Sequence, residues 1–225
     1  MIRRFKDRGD AGRQLAAILR GLHGEDVIVI ALPRGGVPVG YEVARALNAP
    51  LDVLNVHKLC VPWRDDVVMG AVASHDIRVL NNEIIMAMDV SKASLEEAIA
   101  LQSVELNRRE RAYRDNRMPP VPRDRTVVLV DDGITSGASV RAAISVIRAQ
   151  RPARLILAVP VVQDSVSGEL RHEVDDLACV RRPIDLLAIR TWYDHFPDVS
   201  DQEVRTILRR SATEQAREAP APISP

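Results

Sequence analysis

Two adjacent carboxylates, Asp131 and Asp132, stand just before a run of glycines and small hydroxylated residues, Gly133-Ile134-Thr135-Ser136-Gly137-Ala138-Ser139. These residue types in this order suit a sugar phosphate. Backbone N–H groups at a helix start carry partial positive charge and accept phosphate oxygens. Gly133 and Gly137 allow close approach and positive φ. Thr135, Ser136 and Ser139 add hydroxyl donors. Carboxylates repel a phosphate, so Asp131 and Asp132 suit the neighbouring ribose hydroxyls, directly or through Mg2+. A capped strand–turn–helix that binds nothing is the competing reading, because short motifs have false positives.

The elements needed to hold these groups are written on either side. Val127 to Val130 is a short β-branched run, as in a strand buried on both faces. After the loop, Val140, Ile144 and Ile147 recur on one helical face. A second strand–loop–helix lies upstream: Val27 to Leu32, then Pro33-Arg34-Gly35-Gly36, then Val37 to Leu47, with a further strand at Leu51 to Val56. Arg34-Gly35-Gly36 has the context of an anion site, against the alternative of a tight turn with a solvent-facing arginine. Lys58 follows the Leu51–Val56 strand and can supply a point charge on the same edge; a solvated lysine is the alternative.

The segment 127–139 resembles the phosphoribosyl-pyrophosphate signature of the type I phosphoribosyltransferases, with Ser136 and Ser139 in place of the commoner threonines and Gly133 where many members carry an apolar residue. The resemblance widens to Phe5-x-Asp7-Arg8, Ala11-Gly12-Arg13, Lys58-Leu59, Met69-Gly70-Ala71-Val72, Arg108-Arg109-Glu110 with Tyr113-Arg114, and Trp192-Tyr193 with Phe196, a set similar to a bacterial and archaeal group within that family. It implies an α/β fold: a parallel sheet flanked by helices, with a small hood and an inserted long helix. Residues 1–213 would form the domain, with hood contributions from 1–26, 81–123 and 181–213, and 214–225 a disordered tail.

The resemblance also implies roles. Asp131 and Asp132 would be catalytic and would hold Mg2+. Gly133 to Ser139 would bind the 5′-phosphate. Arg34, Gly35, Gly36 and Lys58 would bind pyrophosphate. Val61 to Ser74 takes the place of the family's mobile loop, with Cys60 where the group carries glycine. Trp192 and Tyr193 are the candidates for stacking on an acceptor; Trp63 is a rival, and packing under the C-terminal helix is the competing reading. The implied reaction is phosphoribosyl transfer from phosphoribosyl pyrophosphate to a small nitrogenous acceptor, a nucleobase above all. The alternatives are a non-catalytic sensor of phosphoribosyl pyrophosphate or a nucleotide, and hydrolysis with water as acceptor.

Bulk properties narrow the remaining classes. Lys+Arg and Asp+Glu both number 31 in 225 residues, so no basic field supports nucleic-acid binding. The arginines of the polar helix expected over Leu95 to Arg114 alternate with Glu105 and Glu110, as on a solvated face. No apolar run has the length of a membrane span. Cys60 and Cys179 lack metal-ligand spacing and suit a reducing cytoplasm. A homodimer is one assembly consistent with this reading. His57, His75 and His195 read as ordinary polar positions. Asp10 is expected to cap the first helix, Ser94 with Glu97 and Ser200 with Glu203 to form capping boxes, and Leu177–Val180 and Leu186–Arg190 to be late strands.

Overall fold

The computed structural model describes residues 4–74, 77–114 and 120–218. Along the chain lie α1 (Arg8–Ile18), β1 (Val27–Ala31), α2 (Gly36–Leu47), β2 (Leu51–Val53), β3 (Val56–Val61), β4 (Arg64–Ala73), β5 (Ile77–Leu80), α3 (Asn82–Ala87), α4 (Lys92–Arg114), β6 (Thr126–Val130), α5 (Ala138–Ala149), β7 (Arg154–Val161), α6 (Asp164–Leu170), β8 (Asp176–Arg181) and α7 (Asp201–Glu218). Five strands form a parallel sheet in the order β2-β1-β6-β7-β8, and β3-β4-β5 form a second sheet.

Strand periodicity divides the core. Side chains alternate across a strand. Val27, Val29, Val128, Val130 and Ile156 therefore meet α1, α2 and α7 through Leu15, Val39, Val43, Val204 and Leu208. Ile28, Ile30, Val127, Leu129 and Leu157 meet α5 and α6 through Val140, Ile144, Ile147 and Leu170. Both faces are covered, which is why these strands read as continuous apolar runs. The order β1-β6 puts the two strand–loop–helix units side by side, with Ala31 paired to Val130. Their loops thus emerge together at the carboxyl edge, where ligands bind in open α/β sheets.

The second sheet is antiparallel, with Val56 opposite Ala73 and Gly70 opposite Leu80. Its Ala71 and Ala73 pack toward α5. Leu59, Val61, Met69 and Val72 pack toward α4 through Ile99 and Leu106. The segment Val61–Ser74 is mostly strand: the extended pieces that the sequence suggests at Val67–Ala73 and Ile77–Leu80 fall within β4 and β5, and Cys60 is a half-buried strand residue at a register irregularity. Lys58 accordingly lies within β3, five residues past the end of β2.

Other expectations are corrected locally. Asp7 caps α1, its Oδ1 accepting the amide of Asp10 at 2.7 Å. Ser91 takes the place expected for Ser94, its Oγ accepting the Ser94 amide at 3.1 Å. Ser200 does cap α7, accepting from the Glu203 amide at 3.1 Å. Leu186–Arg190 is not a strand; a 3-10 turn covers Ile189–Trp192. The helix α7 continues to Glu218, so the segment from Glu214 begins as helix, with Glu214 accepting from the Tyr41 hydroxyl at 2.8 Å. Residues 219–225, His75 and the start of the proline-rich stretch at Met118 lie outside the described residues. Among the described residues, no helix is long and apolar enough to cross a membrane.

Candidate active site

The tip of β6 carries Asp131 and Asp132. Asp132 is buried and Asp131 half-buried. Asp131 Oδ1 accepts the amide of Asp132 at 2.8 Å. Burial pushes the Asp131 carboxyl well above the usual carboxylate range, and the neighbouring Asp132 adds to it. Asp132 is also raised by burial, opposed by its ion pair with Arg8. Two carboxylates this close inside a protein resist double ionisation unless a cation joins them.

That cation is partly supplied by a residue to which the sequence reading assigned no role. Arg8 Nε donates to Asp132 Oδ2 at 2.8 Å, and Arg8 Nη1 donates to the Pro197 carbonyl at 2.6 Å. Its guanidinium carbon lies 3.6 Å from the Phe196 ring centroid. The signal was present: Phe5-x-Asp7-Arg8 and Trp192-Tyr193 with Phe196 stood out together. The structure joins them, since the Phe5 amide donates to the Trp192 carbonyl and the Asp194 amide to the Phe5 carbonyl. Nothing in one sequence states that Arg8 would pair with a residue 124 positions away.

The expected pyrophosphate loop lies against the acidic tip. A Cβ on Gly35 would collide with the Asp132 carboxylate, and one on Gly36 would fall 2.8 Å from the Val130 carbonyl oxygen. These glycines are therefore required by close approach rather than by positive φ. The Pro33–Arg34 peptide is cis. Arg34 is exposed, with Nη1 3.8 Å from Asp201 Oδ1. A cavity of about 470 Å³ opens here, lined by Arg34, Gly35, Asp131 and Asp132 together with Arg8, Ile189 and Phe196. Its size suits a small-molecule site.

The loop Gly133–Ser139 leads into α5. Ile134 is pinned to the end of β7, its amide donating to Val161 O and its carbonyl accepting from the Gln163 amide. Gly133 is packed against Ile189, and Gly137 has φ 75°, a conformation that glycine adopts without strain. Ser136, Ala138 and Ser139 are exposed at the first turn, where helix amides have no intrahelical partner. Thr135 is half-buried.

Not every expected residue joins the strand-tip cavity. Lys58 and Ser139 instead line a cavity of about 750 Å³ between β3 and α4, with His57, Asp65, Glu97 and Gln102. Ser136 and Ala138 face a third cavity, of about 820 Å³, beside β4 and β5. Tyr193 is corrected as a stacking residue. It is 3% exposed, and its hydroxyl donates to the Asp132 carbonyl at 2.7 Å. Its ring packs 5.3 Å from Phe5 and 4.8 Å from Phe196. Trp192 is half-buried against the same cluster. The tyrosine thus supports the acidic tip from beneath and offers no face to a ligand.

Among the described residues, no three His, Cys, Asp or Glu side chains converge as a metal site. The donor set fits Mg2+ only in part: Mg2+ is commonly bound by one or two carboxylates with substrate oxygens and water completing its shell.

An open parallel sheet with an acidic strand tip, a glycine loop pressed against it and an amide-lined helix start defines the α/β class of type I phosphoribosyltransferases. Residues 2–187 match the model of the phosphoribosyl transferase domain, and the chain belongs to that family. Two Mycobacterium tuberculosis proteins, of strains H37Rv and CDC 1551, carry the provisional name of phosphoribosyl transferase and are 41% identical over 207 residues. The match covers 92% of this chain and 47% of theirs, so the chain spans about half the length of these curated relatives. The crystal structure of TT1426 from Thermus thermophilus is similar at a TM-score of 0.85 and 37% identity, covering 92% of this chain and 98% of that one.

Proposed function

We propose that the chain binds phosphoribosyl pyrophosphate with Mg2+ and transfers its phosphoribosyl group to a small nitrogenous acceptor such as a nucleobase, releasing pyrophosphate. One observation carries this reading: the acidic tip of β6, the Arg34–Gly36 loop and the start of α5 lie on one sheet edge. In this reading the amides and hydroxyls of Thr135–Ser139 anchor the 5′-phosphate. Remote binding of that kind positions the reacting carbon. Asp131 and Asp132 accept hydrogen bonds from the ribose hydroxyls. Their negative charge favours cationic character at C1 as the bond to pyrophosphate breaks. Arg34 and the loop amides at Gly35 and Gly36 take up charge on the departing pyrophosphate. Asp131 and Asp132 would hold Mg2+, which when bound would supply positive charge to offset that of the pyrophosphate. Ile189 and Phe196 border the side from which an acceptor would enter.

A second reading is a non-catalytic binder of phosphoribosyl pyrophosphate or a nucleotide. The pairing of Asp132 with Arg8 favours it, because one carboxylate of the pair is already engaged. The test incubates the protein with phosphoribosyl pyrophosphate, Mg2+ and a panel of nucleobases and follows pyrophosphate release. Release that depends on one base supports transfer. Binding without turnover supports the binder. Release without any base indicates hydrolysis, and neither binding nor release rejects all three.

A further inference from the structure

We propose that Arg8 is a positioning residue: it locks the acidic strand tip to the glycine loop by holding one oxygen of Asp132 against Gly35. This deepens the function proposed above and rests on phosphoribosyl pyrophosphate being the ligand. A single atom stands at both places. Asp132 Oδ2 accepts from Arg8 Nε at 2.8 Å, and the same oxygen is the nearest atom to where a Cβ on Gly35 would stand.

The placement of Arg8 is hard to explain otherwise. It is the first residue of α1, just after the Asp7 cap. A cation there opposes the helix dipole. It is also 9% exposed, and buried cations are retained only with partners. All the partners found lie at this site: Asp132, the Pro197 carbonyl and the Phe196 ring. The guanidinium lies over the Phe196 ring and is tied to the Pro197 carbonyl, which together restrict where Nε can point.

Asp132 is gripped from its other end as well, since the Tyr193 hydroxyl donates to its main-chain carbonyl at 2.7 Å. Its carboxylate is therefore held in place by Arg8 and its backbone by Tyr193. Asp131 Oδ1 accepts the Asp132 amide, so the two acidic residues are held to each other as well. Asp132 thereby keeps the loop that would cradle pyrophosphate in register with the ribose that both carboxylates would hold.

The test compares Arg8→Lys, Arg8→Gln, Asp132→Asn and the Arg8→Gln/Asp132→Asn double variant. Calorimetry with phosphoribosyl pyrophosphate and Mg2+ measures affinity. Hydrogen exchange at the Gly35–Val37 amides of the ligand-free protein measures the loop directly. Removing one partner of a buried charged hydrogen bond should weaken binding by about tenfold or more in Arg8→Gln. Arg8→Lys, which keeps the charge, should recover most of it. Adding Asp132→Asn to Arg8→Gln should lower affinity by less than Asp132→Asn does alone in the wild type, as expected when two residues act through one contact. Loop exchange should be faster in Arg8→Gln and near wild type in Arg8→Lys. Equal losses in the Lys and Gln variants, additive losses in the double variant, or unchanged loop exchange would each overturn the proposal. Should Arg8→Gln not fold, Arg8→Lys decides alone: near-wild-type loop exchange supports the proposal, and exchange over the whole protein rising in parallel rejects it. Absence of binding by the wild type would reject the ligand, and loop exchange would still decide the role of Arg8.

Discussion

The parallel and antiparallel sheets solve the same problem differently. In the parallel sheet, β1 is buried along its whole length and β6 along all but its first residue, with helices on both faces. Such strands cannot shift without exposing core on two sides, so the loops at their tips inherit fixed positions. The antiparallel sheet begins with exposed residues in β4, and Trp63 between β3 and β4 is 55% exposed. Its pairing is local in sequence, and it packs between α5 and α4. The groups that need sub-ångström placement, Asp131, Asp132, Gly35 and Gly36, sit on the first sheet. Lys58 sits on the second, lining a different cavity. Precision in this molecule follows burial of the supporting strand.

Substitutions can break that contrast or sharpen it. The largest effect should come from the parallel-sheet tip. Asp131→Asn with Asp132→Asn should lower the rate of pyrophosphate release by at least about 100-fold, as for loss of groups that stabilise transition-state charge. The circular dichroism spectrum should stay that of the wild type; unchanged turnover would reject their role. Gly35→Ala should come next. Its methyl group has no space beside Asp132, and overpacking of this kind costs about 1–3 kcal/mol. Denaturant unfolding should show that loss together with weaker ligand binding, and a neutral result would mean that the loop and strand tip are not in contact in solution.

The tie between the two regions should give a smaller effect. Asp201 accepts from the Tyr113 hydroxyl at 2.7 Å and from Arg108 at 3.2 Å, and lies 3.8 Å from Arg34. The Tyr113 hydrogen bond, then Arg108, holds its carboxyl below the usual range, against an opposing effect of burial. A lowered carboxylate stabilises the fold above its unfolded pKa, and that stability is lost as pH falls through the folded value. The melting-temperature gap between wild type and Asp201→Asn should therefore be full near neutral pH and shrink on acidification. A constant gap would show that the interaction is not ionic. The smallest effects belong to the antiparallel sheet: Trp63→Ala should change stability by no more than about 0.5 kcal/mol, as for exposed positions without special contacts. Lys58→Ala should leave affinity for phosphoribosyl pyrophosphate within about twofold. A large loss in the lysine variant would mean that β3 closes onto the substrate.

The same contrast explains what could be read from sequence. Val127–Val130 and Val27–Leu32 were legible because strands buried on both faces need unbroken apolar runs. The glycine and hydroxyl loops were legible because their chemistry is local. In the hairpin β3–β4 only the apolar stretch Val67–Ala73 is legible as extended, because Arg64, Asp65 and Asp66 open β4 with charge and the register is irregular at Cys60. Leu186–Arg190 has the composition of a strand yet ends as a 3-10 turn, with Ile189 packed over Gly133. Tyr193 was legible as an aromatic near the site but not as a buried support, because its partner, the Asp132 carbonyl, is main chain. Arg8 is legible as part of the Phe5-x-Asp7-Arg8 motif but not as the partner of Asp132, because that pairing joins side chains 124 positions apart.

The central claim is that the acidic tip of β6 and the loop before α5 hold a phosphorylated ribose. Calorimetric titration of the wild type and the Asp131→Asn/Asp132→Asn variant with phosphoribosyl pyrophosphate and Mg2+ tests it most directly. Saturable one-to-one binding by the wild type, lost in a variant that remains folded, is the predicted result. No heat of binding from the wild type, or equal binding by both proteins, would contradict it.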